Sequence, residues 1–295
     1  MFHTFQSVGL DVLPRHFYSE IPDIAKLRRS TDWRRAYSMI GVSGNDVDVQ
    51  LSWLERRMTC EVRAWLADHD VHVLGCQANG AAGYGRVEAD VLHGVIRAEK
   101  PQRIVQIGSG VSTAIILDAA AHADYEPYLL AIDPFPTEYL REAAAKGVIQ
   151  LWARPAESVD PDSLTLAAGD LFFVDSTHTL GPAGEVGRIV LEILPRLASG
   201  VLVHFHDIYF PYDYPSDVLE GAVFFPHESP LLHAFLVNNS RFEILASLSM
   251  LHHQRPAELA RLVESYSPRR MCDGLSAGGG HLPSALYLSV GSGER

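Results

Sequence analysis

From Arg103 to Thr113 the chain reads Arg-Ile-Val-Gln-Ile-Gly-Ser-Gly-Val-Ser-Thr, and this run limits what it can fold into more than any other. β-Branched residues make a short strand, Gly108 and Gly110 make a turn, and Ser112 and Thr113 are ready to cap the next helix. Without a Cβ, glycine lets backbone approach a ligand closely, and the helix-terminal N–H groups point at polar or anionic partners. Some 25 residues on, roughly the spacing of an acid that grips a ribose diol, Tyr128–Ile132 reads as a second strand ending in the carboxylate of Asp133. The run therefore predicts a nucleotide-type site beyond the ends of two strands.

The remaining sequence bounds the class. The 295 residues, 47% of them hydrophobic, suffice for one large core, or for one core and a small appendage. A formal charge of −12 argues against general binding to nucleic acid or to anionic membrane, since either would repel the chain. No apolar run approaches the ~20 residues that span a bilayer. The first residues, Met1 to Gln6, lack the basic and apolar regions of a signal peptide. Cys60, Cys76 and Cys272 lie far apart and read as reduced, mostly buried thiols. The expected compartment is the cytoplasm and the expected partner is a small molecule.

Residues 1–78 are expected to form an N-terminal helical cap. Thr31-Asp32-Trp33 reads as a helix start, and from Asp46 onward Leu51, Leu54, Met58, Val62 and Leu66 recur as one buried helix face. That face must be buried somewhere, which makes the cap a candidate dimerisation surface or pocket wall. The Gly-rich stretch 75–85 reads as a linker to the main domain, 79–295. There, strands at 103–107, 128–132, 148–153, 171–175, 201–206 and 284–290 alternate with helices, and an apolar run occupies 242–251. This predicts an α/β fold, a doubly wound, mostly parallel seven-stranded sheet covered on both faces, with ligands at the carboxyl ends of its strands.

The glycine turn lacks the third glycine of a dinucleotide fingerprint, since Thr113 stands there. The closing segments near 242–251 and 284–290 instead resemble the terminal antiparallel hairpin of class I S-adenosylmethionine (SAM) methyltransferases. Ile104–Thr113, Ala131–Pro136, Gly169–His178, Ile193–Leu197, Val203–Ile208 and Pro211–Pro215 occur together in this order. As a set they resemble the bacterial SAM-dependent methyltransferases of the "domain 24" type, over about residues 80 to 290. The resemblance implies that Gly108, Ser109, Gly110, Ser112, Thr113, Asp133, Pro134 and Asp175 bind SAM. Within this group Asp133 would hold the ribose hydroxyls, and residues near Ala156 and Glu157 would flank the adenine. Gln106 departs from the family, which usually has an acid there.

Asp175 ends one strand, Asp207 follows the next, and His178, His204 and His206 sit around them. The comparison with metal-dependent O-methyltransferases implies a divalent ion (Mg, Mn or Fe) on Asp175, His206 and Asp207, lowering the pKa of a substrate hydroxyl. Imidazole at position 206, where those enzymes usually carry an acid or amide, favours transition metals over magnesium. His178, three residues beyond Asp175, resembles the general base of sugar O-methyltransferases, a task that suits a ring whose unperturbed pKa near 6.5 leaves it mostly neutral at pH 7. His204 reads as a core histidine, and His252 and His253 as surface residues. Residues 209–229, rich in Tyr and Phe, read as a lid over the site. The expected activity is metal-assisted O-methylation of a small hydroxylated metabolite or sugar-bearing natural product. Two rivals remain open: a metal-dependent, oxidative or other reaction that moves no methyl group, and a non-catalytic SAM-responsive subunit.

Overall fold

The computed structural model describes residues 2–17, 19, 21–215, 218–219, 224–269 and 279–292. Cys272 lies outside these; Cys60 and Cys76 are free thiols, and Cys60 is exposed, against expectation. Seven strands form one sheet: β1 (Arg103–Ile107), β2 (Tyr128–Ile132), β3 (Gln150–Trp152), β4 (Leu171–Val174), β5 (Leu202–Phe205), β6 (Phe242–Ser247) and β7 (Leu286–Val290). Their order is β3-β2-β1-β4-β5-β7-β6. β1 to β5 pair in parallel, and β7 inserts antiparallel between β5 and β6. The sheet is thus the doubly wound, seven-stranded arrangement anticipated from the alternating apolar runs. The inner strands carry no polar face because helices cover both sides: all four residues of β4 and all four of β5 are buried.

The expected single helix from Asp46 is instead three: Val47–Glu55, Cys60–Asp68 and Val71–Asn79. Asp46, Thr59 and Asp70 each accept backbone N–H bonds and begin a helix, so capping prevails over a continuous periodicity. Leu54, Met58 and Val62 are buried, whereas Leu51 and Leu66 are half-buried. The start read at Thr31 is only one 3-10 turn, Asp32–Arg34. The third helix occupies much of the stretch read as a linker. At Gly75 a Cβ would stand 3.2 Å from Val111 and 3.3 Å from Ile115, so glycine lets this helix cross closely over Val111–His122.

Residues 39–55 also close the edge of the sheet. Ile244 N–H donates to Ser43, and buried Gln50 donates to the Gly44 carbonyl while accepting from Ser247 N–H. The edge strand β6 is therefore paired and covered, not left open to other chains. The apolar run 242–251 divides at Ser247, whose side chain caps the helix Leu248–Gln254. Among the described residues no helix is long and apolar enough to cross a membrane.

Helix Arg86–Glu99 buries Asp90, with Ser265 Oγ donating to its carboxylate. Burial pushes this carboxyl up to about 6 from 3.8, although Ser265, Arg86 and His72 pull the other way. The folded chain therefore holds a proton that the unfolded chain has released between about pH 4 and pH 6. Stability falls as pH rises through that window and is level above it. In urea unfolding, Asp90→Asn is expected to gain about 1–3 kcal/mol on the parent between pH 4 and pH 7. A difference that does not change with pH would mean that Asp90 ionises normally.

Candidate active site

The site lies along the carboxyl ends of β1, β2, β4 and β5. After β1 the chain turns through Gly108, at φ +75°, and Gly110, at φ +149°. A Cβ on Gly108 would stand 1.7 Å from the carbonyl oxygen of Asp175, so this turn lies directly on the end of β4. Gly110 faces the Asn79 side chain, 3.2 Å from where its own Cβ would be. Gln106 is fully buried and holds the start of helix Val111–His122. Its Nε2 donates to Ser112 Oγ at 2.8 Å, and its Oε1 accepts from Thr113 Oγ1 at 2.9 Å. Thr113 Oγ1 in turn accepts from Gly110 N–H. Ser112 and Thr113, read as cofactor-binding residues, are thus buried in a network that shapes the turn. Gln106 needs its amide donor for Ser112, which an acid in its place would lack unless protonated.

At the end of β2, Asp133 Oδ2 accepts from Ser109 N–H and Oγ at 3.0 and 3.1 Å, and Oδ1 accepts from Phe135 N–H at 2.8 Å. Oδ1 thus keeps acceptor capacity toward a diol, whereas Oδ2 already accepts two bonds. Pro134 is exposed, and the Phe135 ring beside it is 87% exposed. Beyond β3, Ala156 is buried and Glu157 is exposed.

Beyond β4 and β5, four side chains form a ring. His178 Nε2 lies 3.6 Å from Asp175 Oδ1 and 3.4 Å from Asp207 Oδ2. His206 Nδ1 lies 3.4 Å from Asp175 Oδ1 and 3.5 Å from Asp207 Oδ2. His178 and Asp207 both adopt left-handed backbone, at φ 60° and 56°, which costs a non-glycine residue about 1–2 kcal/mol. Asp207 Oδ1 accepts from Tyr209 OH and Ser284 Oγ, which fix its orientation. Glu228 is fully buried, and its Oε2 lies 2.7 Å from His178 Nδ1, leaving Nε2 to face the two aspartates. Glu228 lies within residues 209–229, the segment read as a lid, and pairs with His178. It begins the helix Glu228–Leu236, whose first N–H groups donate to the His178 carbonyl.

Electrostatics bind this ring tightly. Burial alone would raise the Asp175 and Asp207 carboxyls, but the facing imidazoles outweigh it and hold both well below the usual carboxylate range. Burial alone would lower His206, yet the same aspartates push it well above the usual histidine range. For His178, burial is outweighed by Asp175, Glu228 and Asp207, and the ring is pushed up to about 10. This corrects the expectation of a neutral His178 at pH 7: with no added charge in the ring, it is protonated.

The donor set was tested for a cation. Both ring nitrogens of His206 are buried, and neither is in a hydrogen bond. Around an ion with bonds of about 2.1 Å, donors stand roughly 3.0 Å apart at right angles and roughly 3.4 Å apart at tetrahedral angles. Neighbouring donors of the ring stand 3.4–3.6 Å apart. Among the described residues, however, only His93, Asp118 and His122 have ligand atoms that all lie within 4.8 Å of one another, so the ring has to draw together to hold one small ion. His204, by contrast, is a core residue as expected: fully buried, stacked on Phe173 at 4.3 Å and 3.1 Å from Tyr84 OH.

Residues 105–208 match the family described as "Methyltransferase domain". The matched stretch is thus similar to methyltransferase domains. It contains the glycine turn, Asp133 and the four-residue ring, so the resemblance to class I methyltransferases read from the motifs stands. An uncharacterized protein of Archaeoglobus fulgidus is 29% identical over 163 residues, covering 52% of this chain and 70% of that protein. Among solved structures, a Klebsiella pneumoniae protein described as an O-methyltransferase aligns at 14% identity and a TM-score of 0.48, over 79% of this chain and 97% of that one. A Podospora anserina methyltransferase bound to S-adenosylhomocysteine aligns at 18% identity and a TM-score of 0.40, over 79% and 92%. Nothing about substrate passes from structures this distant.

Several residues outside the matched stretch carried no sequence signal. Tyr84, at φ 50°, lies 4.7 Å from the His206 ring, and Ser284 is held by Glu88 through its N–H. Trp33 and Arg34 join Tyr209, Tyr212, Tyr214, Ser249, His253 and Leu282 around a cleft beside the ring. His252 is buried, 2.7 Å from Tyr266 OH, and burial lowers both His252 and His253 to about 4, so neither is the surface residue expected.

A side chain at position 108 would need both a left-handed backbone and a displaced Asp175. Gly108→Ala is expected to lower stability by about 2–4 kcal/mol in chemical denaturation. In protein that remains folded, the ring should be displaced along with the turn. An unchanged denaturation midpoint would show that the two strand ends are not in contact.

Proposed function

We propose that the chain is a SAM-dependent O-methyltransferase acting on a small hydroxylated molecule, with a divalent cation assisting. The observation that carries this is the direct contact between Gly108 and Asp175, which joins a nucleotide-type turn to a ring of proton-handling groups. Gly108, Ser109, Gly110 and Asp133 would hold SAM, with Phe135 offering an exposed ring to its adenine. Asp175, His206 and Asp207 would hold the cation. Bound SAM supplies an electrophilic methyl on a sulfonium leaving group, and the cation supplies positive charge beside the acceptor oxygen. The side chains must then orient the acceptor and take one proton from its hydroxyl.

His178 is the base in this reading, which requires that it give up the proton it holds in the ring once positive charge sits on Asp175, His206 and Asp207. Glu228 fixes its Nδ1, so Nε2 is the atom that faces an acceptor near Asp175 and Asp207. Tyr209 and Ser284 stop Asp207 from turning away. The acceptor would enter by the aromatic cleft, where Ser249 Oγ is buried without a hydrogen-bond partner and a substrate hydroxyl could meet it. Tyr37 N–H donates to Pro211 and Tyr37 OH to Asp213, so the N-terminal segment closes over the start of the lid.

The test is calorimetric titration of S-adenosylhomocysteine into purified protein, with metal content measured on the same sample. Saturable micromolar binding is expected, together with one equivalent of divalent ion that is lost in Asp207→Ala. Metal without nucleoside binding would favour metal-dependent chemistry that transfers no methyl group, for which the imidazole-rich ring is equally suited. With radiolabelled SAM and a panel of hydroxylated acceptors, His178→Ala is expected to lower turnover about 10²–10⁴-fold with little change in S-adenosylhomocysteine affinity. Full turnover in that variant would remove His178 from the mechanism.

A further inference from the structure

A second group of ligand-type side chains lies on the outer helical layer. His93 stands midway along helix Arg86–Glu99, and Asp118 and His122 stand one turn apart on helix Val111–His122. His93 Nε2 is 3.3 Å and His122 Nδ1 is 3.5 Å from the same oxygen, Asp118 Oδ2. The ligand atoms of the three residues all lie within 4.8 Å of one another. The helix that carries Asp118 and His122 starts at the Gly110 turn and ends with His122. Asp118 and His122 therefore lie roughly 11 and 17 Å along that helix from its start at the turn.

The independent sign of a missing ligand is His93. Its side chain is fully buried, and neither ring nitrogen makes a hydrogen bond; Asp118 Oδ2 is likewise buried without one. An imidazole left this way costs about 1–3 kcal/mol unless something completes it. Its ring is also held in place. Trp65 stacks parallel to it at 4.6 Å, leans on His122 at 4.3 Å, and carries His69 in a second parallel stack at 4.2 Å. Burial keeps His93 below the ordinary histidine range, against the pull of Asp118. His122 Nδ1 also lies 2.9 Å from the Asp118 carbonyl, a contact it would exchange for a ligand.

We infer that His93, Asp118 and His122 bind a divalent d-block cation such as zinc, with the fourth position open to solvent on the half-exposed side formed by Asp118 and His122. Two imidazoles and one carboxylate suit zinc, cobalt or nickel, whereas magnesium and calcium prefer oxygen donors. The cation would clip helix Arg86–Glu99 to helix Val111–His122 on the face that Trp65 covers. The inference is independent of the proposed methyl transfer, because no residue is shared.

The probe is cobalt(II), titrated into untagged, chelator-stripped protein carrying Asp175→Asn and Asp207→Asn, which removes both carboxylates of the other candidate site. One equivalent should bind with the visible absorption of a four-coordinate cobalt–imidazole site. His122→Ala, at an exposed position, should weaken it at least 100-fold with unchanged circular dichroism. Zinc should raise the Tm of the His122 protein and not that of His122→Ala. If the doubly substituted background does not fold, the same titration in the parent chain should lose one bound equivalent with His122→Ala. No saturable binding, or binding indifferent to both His122→Ala and Asp118→Asn, overturns the site.

Discussion

The contact between Gly108 and the Asp175 carbonyl governs the geometry of everything around it. A parallel sheet delivers the ends of β1 and β4 side by side, and only a residue without Cβ lets the turn after β1 lie on the backbone that begins the ring. Consequently a ligand on the glycine turn and one held by Asp175 are neighbours without any loop having to close. Asp175 also donates its N–H to the Ile107 carbonyl, so the same residue extends the sheet pairing and supplies a ring carboxylate. The Gln106 network is the counterpart on the other side: buried amide and hydroxyls fix where the helix starts, and hence where its N–H groups point.

The ring shows how several charges can be buried at one sheet edge. None of its members would be stable alone, because an unpaired ion at this depth costs several kcal/mol. Two aspartates face two imidazoles, Glu228 completes His178, and Tyr209 and Ser284 complete Asp207. The left-handed backbone at His178 and Asp207 is part of that cost. It turns each side chain back over the strand ends, where an extended residue would lead its side chain away. Local backbone strain is held by a surrounding polar network that leaves it no cheaper alternative.

What could be read from the sequence follows from how local each feature is. The strands were legible because a strand buried on both faces needs an uninterrupted apolar run, as in Leu171–Val174 and Leu202–Phe205. Asp175, His178, His206 and Asp207 were legible because they follow those runs directly. The helix breaks at Thr59 and Asp70 were written in plain N-cap residues but masked by a hydrophobic period that continues through them. Ser247 was hidden in the same way, since an apolar run does not say where strand becomes helix. Glu228 pairs with His178 across 50 residues, and Tyr84 meets His204 across 120. No spacing rule reaches that far. Burial of His252 against Tyr266 and the protonation of His178 depend on three-dimensional neighbours alone.

The stretch that matches the methyltransferase family and the proposed acceptor cleft divide the chain between them. Every residue of the glycine turn, Asp133 and the ring lies within 105–208. Every residue lining the cleft lies outside it: Trp33 and Arg34 before, and Tyr209, Tyr212, Tyr214, Ser249, His253 and Leu282 after. The reason is topological. In a doubly wound sheet the parallel strands place their carboxyl ends together and so fix the reacting groups, whereas the wall above them must come from chain that leaves the sheet. Here that wall is made by the long connection after β5 and by an N-terminal segment that also covers the β6 edge. Residues 31–50 thus serve substrate cleft and sheet edge at once, and a change that reshapes the cleft from this side must keep Gln50 and Ser43 paired to β6. The walls contributed by residues 209–214 carry no such duty to the edge, which makes them the freer route to a different acceptor.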